Sequence, residues 1–318
     1  MSKVRVCFCG TPEFAVTSLK RVLDDEHFEV VGVVTQPDRP AGRKMTLTPS
    51  PIKTLALAHG LNVISPEKIN QDMVLQEIKS WNAEVAIVVA YGQILSQRFL
   101  DLFALGAVNV HGSILPRWRG AAPIQRAVEA GDTETGVALQ KVVKALDAGD
   151  VLGVRRVQIG PDMNAQELHD ELAVRGADLL HIELMDYVRG NLAPFPQEHA
   201  LATYAKKIDK TESELKWDQP AHVLHNKVRA FVMGPGTYTL WSGKKLKIHR
   251  TQVFAESGSS AAPGTVLSVE ASGLRVACGE GSLLITELQP ESRNRMSVAD
   301  FLKGQTASPL GKGEVLGV

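Results

Sequence analysis

The first half of the chain alternates short apolar runs with amphipathic segments. Val4–Cys9, Val30–Thr35 and Val85–Ala90 have the length of strands, and Val85–Ala90 is apolar almost throughout. Strands that are covered on both faces of a sheet have this composition. The segments that separate them carry apolar residues at helical spacing. This alternation predicts a doubly wound α/β domain with a mostly parallel, Rossmann-like sheet.

The pattern continues with a strand at Ala107–His111. Two further strands, Val137–Val143 and Val151–Ile159, are joined by a short turn, and a long helical pattern runs from Ala165 to Arg189. Residues 191–206 contain prolines and lose the periodicity, which predicts a linker.

The chain changes character after this segment. A helix is predicted over about Pro220–Ala230, and short strands separated by glycine-containing turns follow from Thr237 to Leu288. Evenly spaced short strands indicate a small β-barrel or sandwich. The predicted organisation is an α/β domain at 1–190, a linker at 191–206 and a small OB-like β-barrel domain at 207–318.

Composition and charge narrow the class of protein. Of the 318 residues 44% are hydrophobic, and 35 Lys and Arg balance 35 Asp and Glu. The whole chain therefore has no net field that attracts nucleic acid. From Ala205 onward, however, 15 Lys and Arg stand against 11 Asp and Glu, which leaves a net charge of +4. A basic C-terminal part is compatible with a polyanionic partner.

The remaining bulk features predict a cytoplasmic protein. Cys7 and Cys9 point to one face of a strand, and we expect them to be buried small side chains. The N-terminus lacks the layout of a signal peptide, and no apolar run is long enough to span a bilayer, so no membrane partner is expected. A monomer is the default expectation. The sequence has no Walker A loop, no zinc ligand set and no dinucleotide fingerprint.

Asn109 and His111 are the first candidates for chemistry. They lie two residues apart at the end of a predicted parallel strand, so their side chains project from one face at the edge where α/β sheets bind ligands. An amide donor and an imidazole suit a developing oxyanion, and the imidazole can also move a proton. The structural alternative is a histidine bonded to a backbone carbonyl and an asparagine that caps a turn.

Two other groups of polar residues allow both a structural and a functional interpretation. Asp147 and Asp150 are ordinary turn residues, or one of them is a carboxylate that orients the nearby histidine or positions a water. Arg117, Trp118 and Arg119 suit a polyanion or a base, or pack against loops of their own domain.

The basic segments also allow two interpretations. Arg39, Arg43 and Lys44 belong to a breaker-rich loop, which is either a solvated connection or a basic arm for phosphates. Lys245 and Lys247 project outward from one strand. They either protect the edge of a sheet or form a surface that follows a phosphate backbone.

Three motifs resemble one enzyme family. They are NVHGSILP at 109–116, RWRGAAPIQ at 117–125 and LDAGD at 146–150. Together they resemble the 10-formyltetrahydrofolate-dependent formyltransferases, in which an Asn, a His and an Asp act together. The segments FCGTPEFA at 8–15, TQPDRPAGR at 35–43 and AYGQIL at 90–95 are similar to the members that formylate methionyl-tRNA. The segment Gln140–Ala145 departs from the Met-rich run that is usual there.

The resemblance implies a reaction and a set of site residues. It implies formyl transfer from 10-formyltetrahydrofolate, as co-substrate and without a metal, to the α-amine of initiator methionyl-tRNA. The implied catalytic residues are Asn109, His111 and Asp147. The implied folate contacts are Ser113, Ile114, Leu115, Pro116, Ala90, Tyr91 and Gly92. The implied tRNA contacts are Arg39, Arg43, Lys44, Lys245 and Lys247.

Two other functions are kept as alternatives. The first is the same chemistry on a nucleotide-linked amino sugar or a purine-pathway ribonucleotide. The second is an RNA-binding protein built on an inactive enzyme scaffold. The basic arm and the C-terminal barrel favour a tRNA acceptor, because a small acceptor needs neither.

Overall fold

The computed structural model describes residues 3–42, 45–254, 261–304 and 310–318. Contacts within the chain define two units. Unit 1 comprises Met1–Pro123, Glu134–Gln158 and His169–Lys206, and unit 2 comprises Ile124–Thr133, Ile159–Leu168 and Lys207–Val318.

Strands and helices alternate over the first two thirds of the chain. The strands are β1 Val4–Gly10, β2 Phe28–Val34, β3 Arg39–Ala41, β4 Thr46–Thr48, β5 Val63–Ile64, β6 Val85–Val89, β7 Ala107–His111, β8 Arg119–Gly120, β9 Glu134–Lys141, β10 Val151–Gln158 and β11 Tyr204–Ala205. The helices are α1 Glu13–Leu23, α2 Pro51–Ala58, α3 Asp72–Ser80, α4 Gln97–Leu100, α5 Pro123–Ala130 and α6 Ala165–Val188. Within the described ranges, no helix is both long enough and apolar enough to cross a membrane.

A seven-stranded sheet forms the centre of unit 1, in the order β10-β9-β7-β6-β1-β2-β5. The strands from β7 to β5 are parallel, and β9 and β10 continue the sheet in antiparallel pairing. The chain leaves β1 toward β2 and returns to β6 on the other side of β1, so the direction of winding reverses there. Ligands bind outside the carboxyl ends of strands at such a switch point. The predicted mostly parallel α/β fold is confirmed.

Burial explains the elements that the sequence predicts best. All five residues of β6 are buried. Cys7 and Cys9 are both buried in β1, as predicted. Helix α2 begins after Ser50, whose hydroxyl accepts a hydrogen bond of 3.0 Å from the Lys53 N–H. This cap satisfies one of the free N–H groups of the first helical turn.

The breaker-rich loop contains a short hairpin that the sequence pattern does not predict. Arg39 of β3 pairs with Thr48 of β4, and Ala41 pairs with Thr46. Met45, next to β4, has φ of +50°, the left-handed conformation typical of turns. Each of these strands has only three residues, and β3 contains a proline. Such strands are too short to produce a detectable alternation of polar and apolar residues.

The segment predicted as a linker packs on unit 1. Phe195 and Val151 exchange two backbone hydrogen bonds of 2.9 Å each. Farther along, β11 pairs with β8 in parallel. The backbone of this segment is irregular and is held by hydrogen bonds, and its role as a linker between two domains stays a prediction.

Unit 2 contains an antiparallel sheet. Its strands are β12 Thr237–Trp241, β13 Lys244–Phe254, β14 Val266–Glu270, β15 Gly273–Ala277, β16 Ser282–Pro290 and β17 Met296–Ser297, and its further helices are α7 Ala221–Ala230 and α8 Val298–Lys303. The strand order is β12-β13-β16-β15-β14, and β17 pairs with β16. Helix α7 packs against β13. The predicted run of strands is confirmed, the structure shows that they pair antiparallel, and closure of the sheet into a barrel stays a prediction.

Candidate active site

The carboxyl end of β7 brings two polar side chains into an otherwise apolar sheet. His111 is the last residue of β7, and Asn109 pairs with Val88 of β6. Asn109 is half-buried, and across the described ranges its amide has no hydrogen-bond partner. An amide in this state can donate a hydrogen bond to a ligand oxygen without breaking a bond inside the protein.

One bond fixes the proton arrangement of His111. Its Nε2 lies 2.9 Å from the backbone carbonyl of Trp118. A carbonyl oxygen only accepts, so Nε2 carries the proton of the neutral ring, and the lone pair is on Nδ1. Nδ1 lies 3.8 Å from Asp147 Oδ2, too far for a hydrogen bond but close enough for a strong charge interaction. This ring can accept a proton at Nδ1 and then face a carboxylate.

Asp147 is held in the turn that precedes β10 by contacts to both of its oxygens. Oδ2 accepts a hydrogen bond of 2.8 Å from the Gly120 N–H, and Oδ1 accepts one of 3.1 Å from Gln140 Nε2. The backbone of Asp147 is left-handed, with φ of +46°. By contrast, the side chain of Asp150 is exposed, and its backbone carbonyl accepts the Lys141 N–H. Of the two candidate carboxylates, Asp147 is the one placed beside the histidine.

A buried polar network supports the Asp147 turn. Gln197 is 7% exposed, and its Nε2 donates to the backbone carbonyls of Gly149, at 2.6 Å, and Asp147, at 2.9 Å. Its Oε1 accepts from Nε and Nη2 of Arg119, at 3.1 and 2.6 Å. Arg119 is 4% exposed, so it packs against loops of its own unit and does not face a polyanion.

Sequence reasoning did not single out Gln140 or Gln197 as site residues. Gln140 lies in β9 directly opposite Asn109, and it is a buried polar residue that directly follows the buried apolar run Val137–Leu139. A polar residue that continues a buried apolar run is a usable signal, because burial of a polar group requires a partner. Gln197 lies in irregular, proline-containing backbone, and the local sequence offers no comparable signal.

The segment Ser113–Pro116 follows β7 directly. The Ser113 hydroxyl is fully buried and donates a hydrogen bond of 2.6 Å to the Arg117 carbonyl, so it holds the loop. Leu115 is buried, while Ile114 and Pro116 are half-buried. The surface that this segment can offer a ligand is therefore largely that of Ile114 and Pro116.

The segment Ala90–Gly92 leaves β6 at the same edge of the sheet. Ala90 and Gly92 have φ of +48° and +90°, and both are exposed. The Tyr91 ring is buried in the core, where burial raises the pKa of its hydroxyl. The Tyr91 carbonyl accepts hydrogen bonds from Thr11 Oγ1 and Gln36 Nε2, at 3.0 and 3.2 Å. This segment can thus contact a ligand through its backbone, not through the tyrosine ring.

The predicted basic arm is described only in part. Arg39 forms two hydrogen bonds with the Glu67 carboxylate, at 3.3 and 2.8 Å, and both side chains are exposed. Arg43 and Lys44 lie outside the described residues.

The two candidate lysines of unit 2 lie on an exposed face. Leu246 and Ile248 are buried, and Lys245 and Lys247 are exposed, as the alternation predicts. Lys245 Nζ lies 4.4 Å from the centre of the Tyr238 ring, a cation–π contact. Strand β13 lies between β12 and β16, so the interpretation that these lysines protect a sheet edge is wrong.

Comparison with known proteins gives matches over both units. The family model described as formyl transferase matches residues 2–182, and the formyl transferase C-terminal domain model matches residues 207–306. A protein of Bdellovibrio bacteriovorus called methionyl-tRNA formyltransferase is 64% identical, and one of Myxococcus xanthus with the same name is 45% identical, each over 100% of both chains. A crystal structure of an N-formyltransferase from Helicobacter canadensis with folinic acid and dTDP-3-aminofucose has a TM-score of 0.67 at 17% identity, over 90% of this chain and 99% of that chain.

Proposed function

Because the chain belongs to the formyl transferase family, we propose that it transfers the formyl group of 10-formyltetrahydrofolate to the α-amine of initiator methionyl-tRNA. The product is N-formylmethionyl-tRNA, which is used in cytoplasmic translation initiation. Relatives that match over their full length carry this acceptor in their names. The observation that carries the proposal is the convergence of Asn109, His111 and Asp147 at the carboxyl edge of the sheet.

The first step is attack of the uncharged amine on the formyl carbon. A new bond forms between the amine nitrogen and this carbon, and the formyl oxygen becomes negatively charged. The Asn109 amide, which has no competing partner in the described part of the chain, donates a hydrogen bond to this oxyanion. A donor that points at this developing charge lowers the barrier, because its hydrogen bond is stronger in the transition state than in the ground state.

The second step moves a proton. The amine nitrogen is positively charged after attack and loses a proton to His111 Nδ1, which carries the free lone pair. The imidazolium then lies beside the Asp147 carboxylate, at 3.8 Å. When the bond between the formyl carbon and the folate nitrogen breaks, His111 returns the proton to that nitrogen. Tetrahydrofolate leaves, and the three side chains regain their starting charges.

The substrate contacts follow from the exposed surfaces of each unit. We infer that the folate ring binds along the backbone of Ala90–Gly92 and the half-buried side chains of Ile114 and Pro116. In unit 2, the exposed Lys245 and Lys247 are suited to phosphate groups of the tRNA. Because lysine binds phosphate as a mobile point charge, these contacts contribute affinity without reading the sequence of the RNA.

The test is a direct assay of the acceptor. The full chain is incubated with 10-formyltetrahydrofolate and methionyl-tRNA, and N-formylmethionine is measured after the ester bond is hydrolysed. Parallel reactions replace the acceptor with uncharged tRNA, a nucleotide-linked amino sugar or a purine-pathway ribonucleotide amine. We expect N-formylmethionine and an equal amount of tetrahydrofolate with methionyl-tRNA alone. Release of tetrahydrofolate with a small amine, and none with methionyl-tRNA, would rule out this acceptor.

A further inference from the structure

Residues 195–205, which we call the strap, contact both segments that hold the catalytic groups. At its start, Phe195 exchanges two backbone hydrogen bonds with Val151, the first residue of β10. At its end, β11 pairs with β8, which leads into the helix α5. The Asp147 turn lies just before β10, and the Trp118 carbonyl that fixes His111 lies just before β8. The strap therefore links the supports of two catalytic side chains that are far apart in sequence.

Gln197 is the contact of the strap with the Asp147 turn. Its Nε2 donates to the Gly149 and Asp147 carbonyls of this turn, and it also lies 3.2 Å from Oε1 of Gln140, the residue that donates to Asp147 Oδ1. The turn is tight at this point, because a Cβ on Gly149 would lie 1.8 Å from the Lys141 carbonyl oxygen. A displaced Gln197 amide would take a donor from the buried Gly149 carbonyl and from the half-buried Asp147 carbonyl, and the turn would shift to find other partners.

Thr203 is the contact of the strap with the segment that precedes β8. Its Oγ1 accepts a hydrogen bond of 2.9 Å from the Trp118 N–H, and its carbonyl accepts one of 2.9 Å from the Arg119 N–H. The Trp118 carbonyl in turn accepts from His111 Nε2. Two residues after Trp118, the Gly120 N–H donates to Asp147 Oδ2. A shift of this segment therefore moves both catalytic side chains.

We propose that Gln197 and Thr203 are positioning residues that fix His111 Nδ1 relative to the Asp147 carboxylate. Neither residue contacts the reacting atoms. They act through the Asp147 turn and through the Trp118–Gly120 backbone, whose geometry sets the 3.8 Å separation of the two side chains. The expected changes in kcat rest on the proposed function, whereas the expected change in the NMR signal of the Gly120 amide does not.

The first test is Gln197→Glu. This substitution keeps an oxygen that can accept from Arg119, but it replaces the N–H donors with an oxygen that faces the Gly149 and Asp147 carbonyls. We expect kcat to fall on the order of 10²-fold, the size of effect that a displacement of about 1 Å produces in a catalytic constellation. The KM for 10-formyltetrahydrofolate should stay within about two-fold, because the folate contacts are unchanged. Gln76→Glu, on the exposed face of α3, is the matched control.

The second test is a pair of variants at Thr203. Thr203→Val has nearly the same shape but lacks the hydroxyl that accepts from Trp118, whereas Thr203→Ser keeps it. We expect Thr203→Val to lower kcat by about ten-fold, the effect of one lost hydrogen bond, and Thr203→Ser to restore it. Equal activity of the two variants, or a loss that appears in KM alone, would overturn the assignment. This pair also decides the question if Gln197→Glu does not fold.

A measurement without substrate separates the inference from the proposed function. Carbonyl-¹³C arginine and ¹⁵N-glycine labels select the amides of the three Arg–Gly pairs, at 119–120, 175–176 and 189–190. The Gly120 signal, identified because Asp147→Asn moves it, should lie downfield, since its 2.8 Å bond is to a carboxylate. Gln197→Glu and Thr203→Val should move it upfield, and Thr203→Ser should not. An unmoved signal refutes the inference, whichever acceptor the enzyme uses.

Discussion

Replacement of Asp147 by Asn tests the charge interaction at the centre of the mechanism. The two side chains are 6% and 16% exposed, so water screens the pair only in part. At the 3.8 Å separation and an effective dielectric constant of about 20, the carboxylate stabilises the His111 imidazolium by about 4 kcal/mol. Asn removes this charge and keeps nearly the same shape. We therefore expect kcat to fall by about 10²- to 10³-fold, where the larger value corresponds to loss of the whole stabilisation of about 4 kcal/mol.

The substitution also has a steric and hydrogen-bonding consequence that the assay must separate. Asn has one acceptor oxygen, so it can keep the bond from Gly120 but then places its amide hydrogens against the Gln140 amide. Circular dichroism melting of the variant measures this cost. Steady-state kinetics with both substrates varied then separates kcat from KM. Asp24→Asn, an exposed carboxylate after α1, is the matched control. A folded Asp147→Asn protein with undiminished kcat would refute a role for this carboxylate in proton transfer.

Three further predictions address the oxyanion, the acid stability of unit 1 and the tRNA surface. Asn109→Ala should lower kcat on the order of 10²- to 10³-fold, the effect of losing an oxyanion donor, and undiminished turnover in the formylmethionine assay contradicts that role. Burial alone would raise the pKa of Asp25, but hydrogen bonds from the backbone and side chain of His27 and from His181 together hold it below the usual value of 3.8. The stabilisation is therefore complete above about pH 5 and is lost as the pH falls toward and through the lowered pKa, so the melting temperature of Asp25→Asn should depend less on pH between about 5 and 3 than that of the wild type. Lys245→Ala combined with Lys247→Ala should weaken tRNA binding and reduce the slope of log affinity against log salt by about one per lysine, and an unchanged slope excludes phosphate contacts there.

The parts of the fold that could be predicted are those with a long repeated pattern. The apolar run at β6 and the alternation in β13 are each produced by burial that repeats along the chain, so each is visible in the sequence. The hairpin of β3 and β4 and the pairing of β8 with β11 involve two or three residues a strand. Hydrogen bonds between the paired segments, not a repeated pattern of burial, determine these short strands, which is why they could not be predicted.

The same distinction applies inside the site. Spacing along one strand was enough to place Asn109 and His111 on one face, because side chains alternate along a strand. The proton arrangement of His111 could not be predicted, because it depends on a carbonyl seven residues away in irregular backbone. That bond matters for the mechanism: it occupies Nε2 as a donor, so the neutral ring has no N–H left for the oxyanion and offers Nδ1 as a base. The sequence left two roles open for His111, hydrogen-bond donor to the oxyanion and acceptor of a proton. This one backbone hydrogen bond selects the second role, and Asn109 is left as the side-chain donor to the oxyanion.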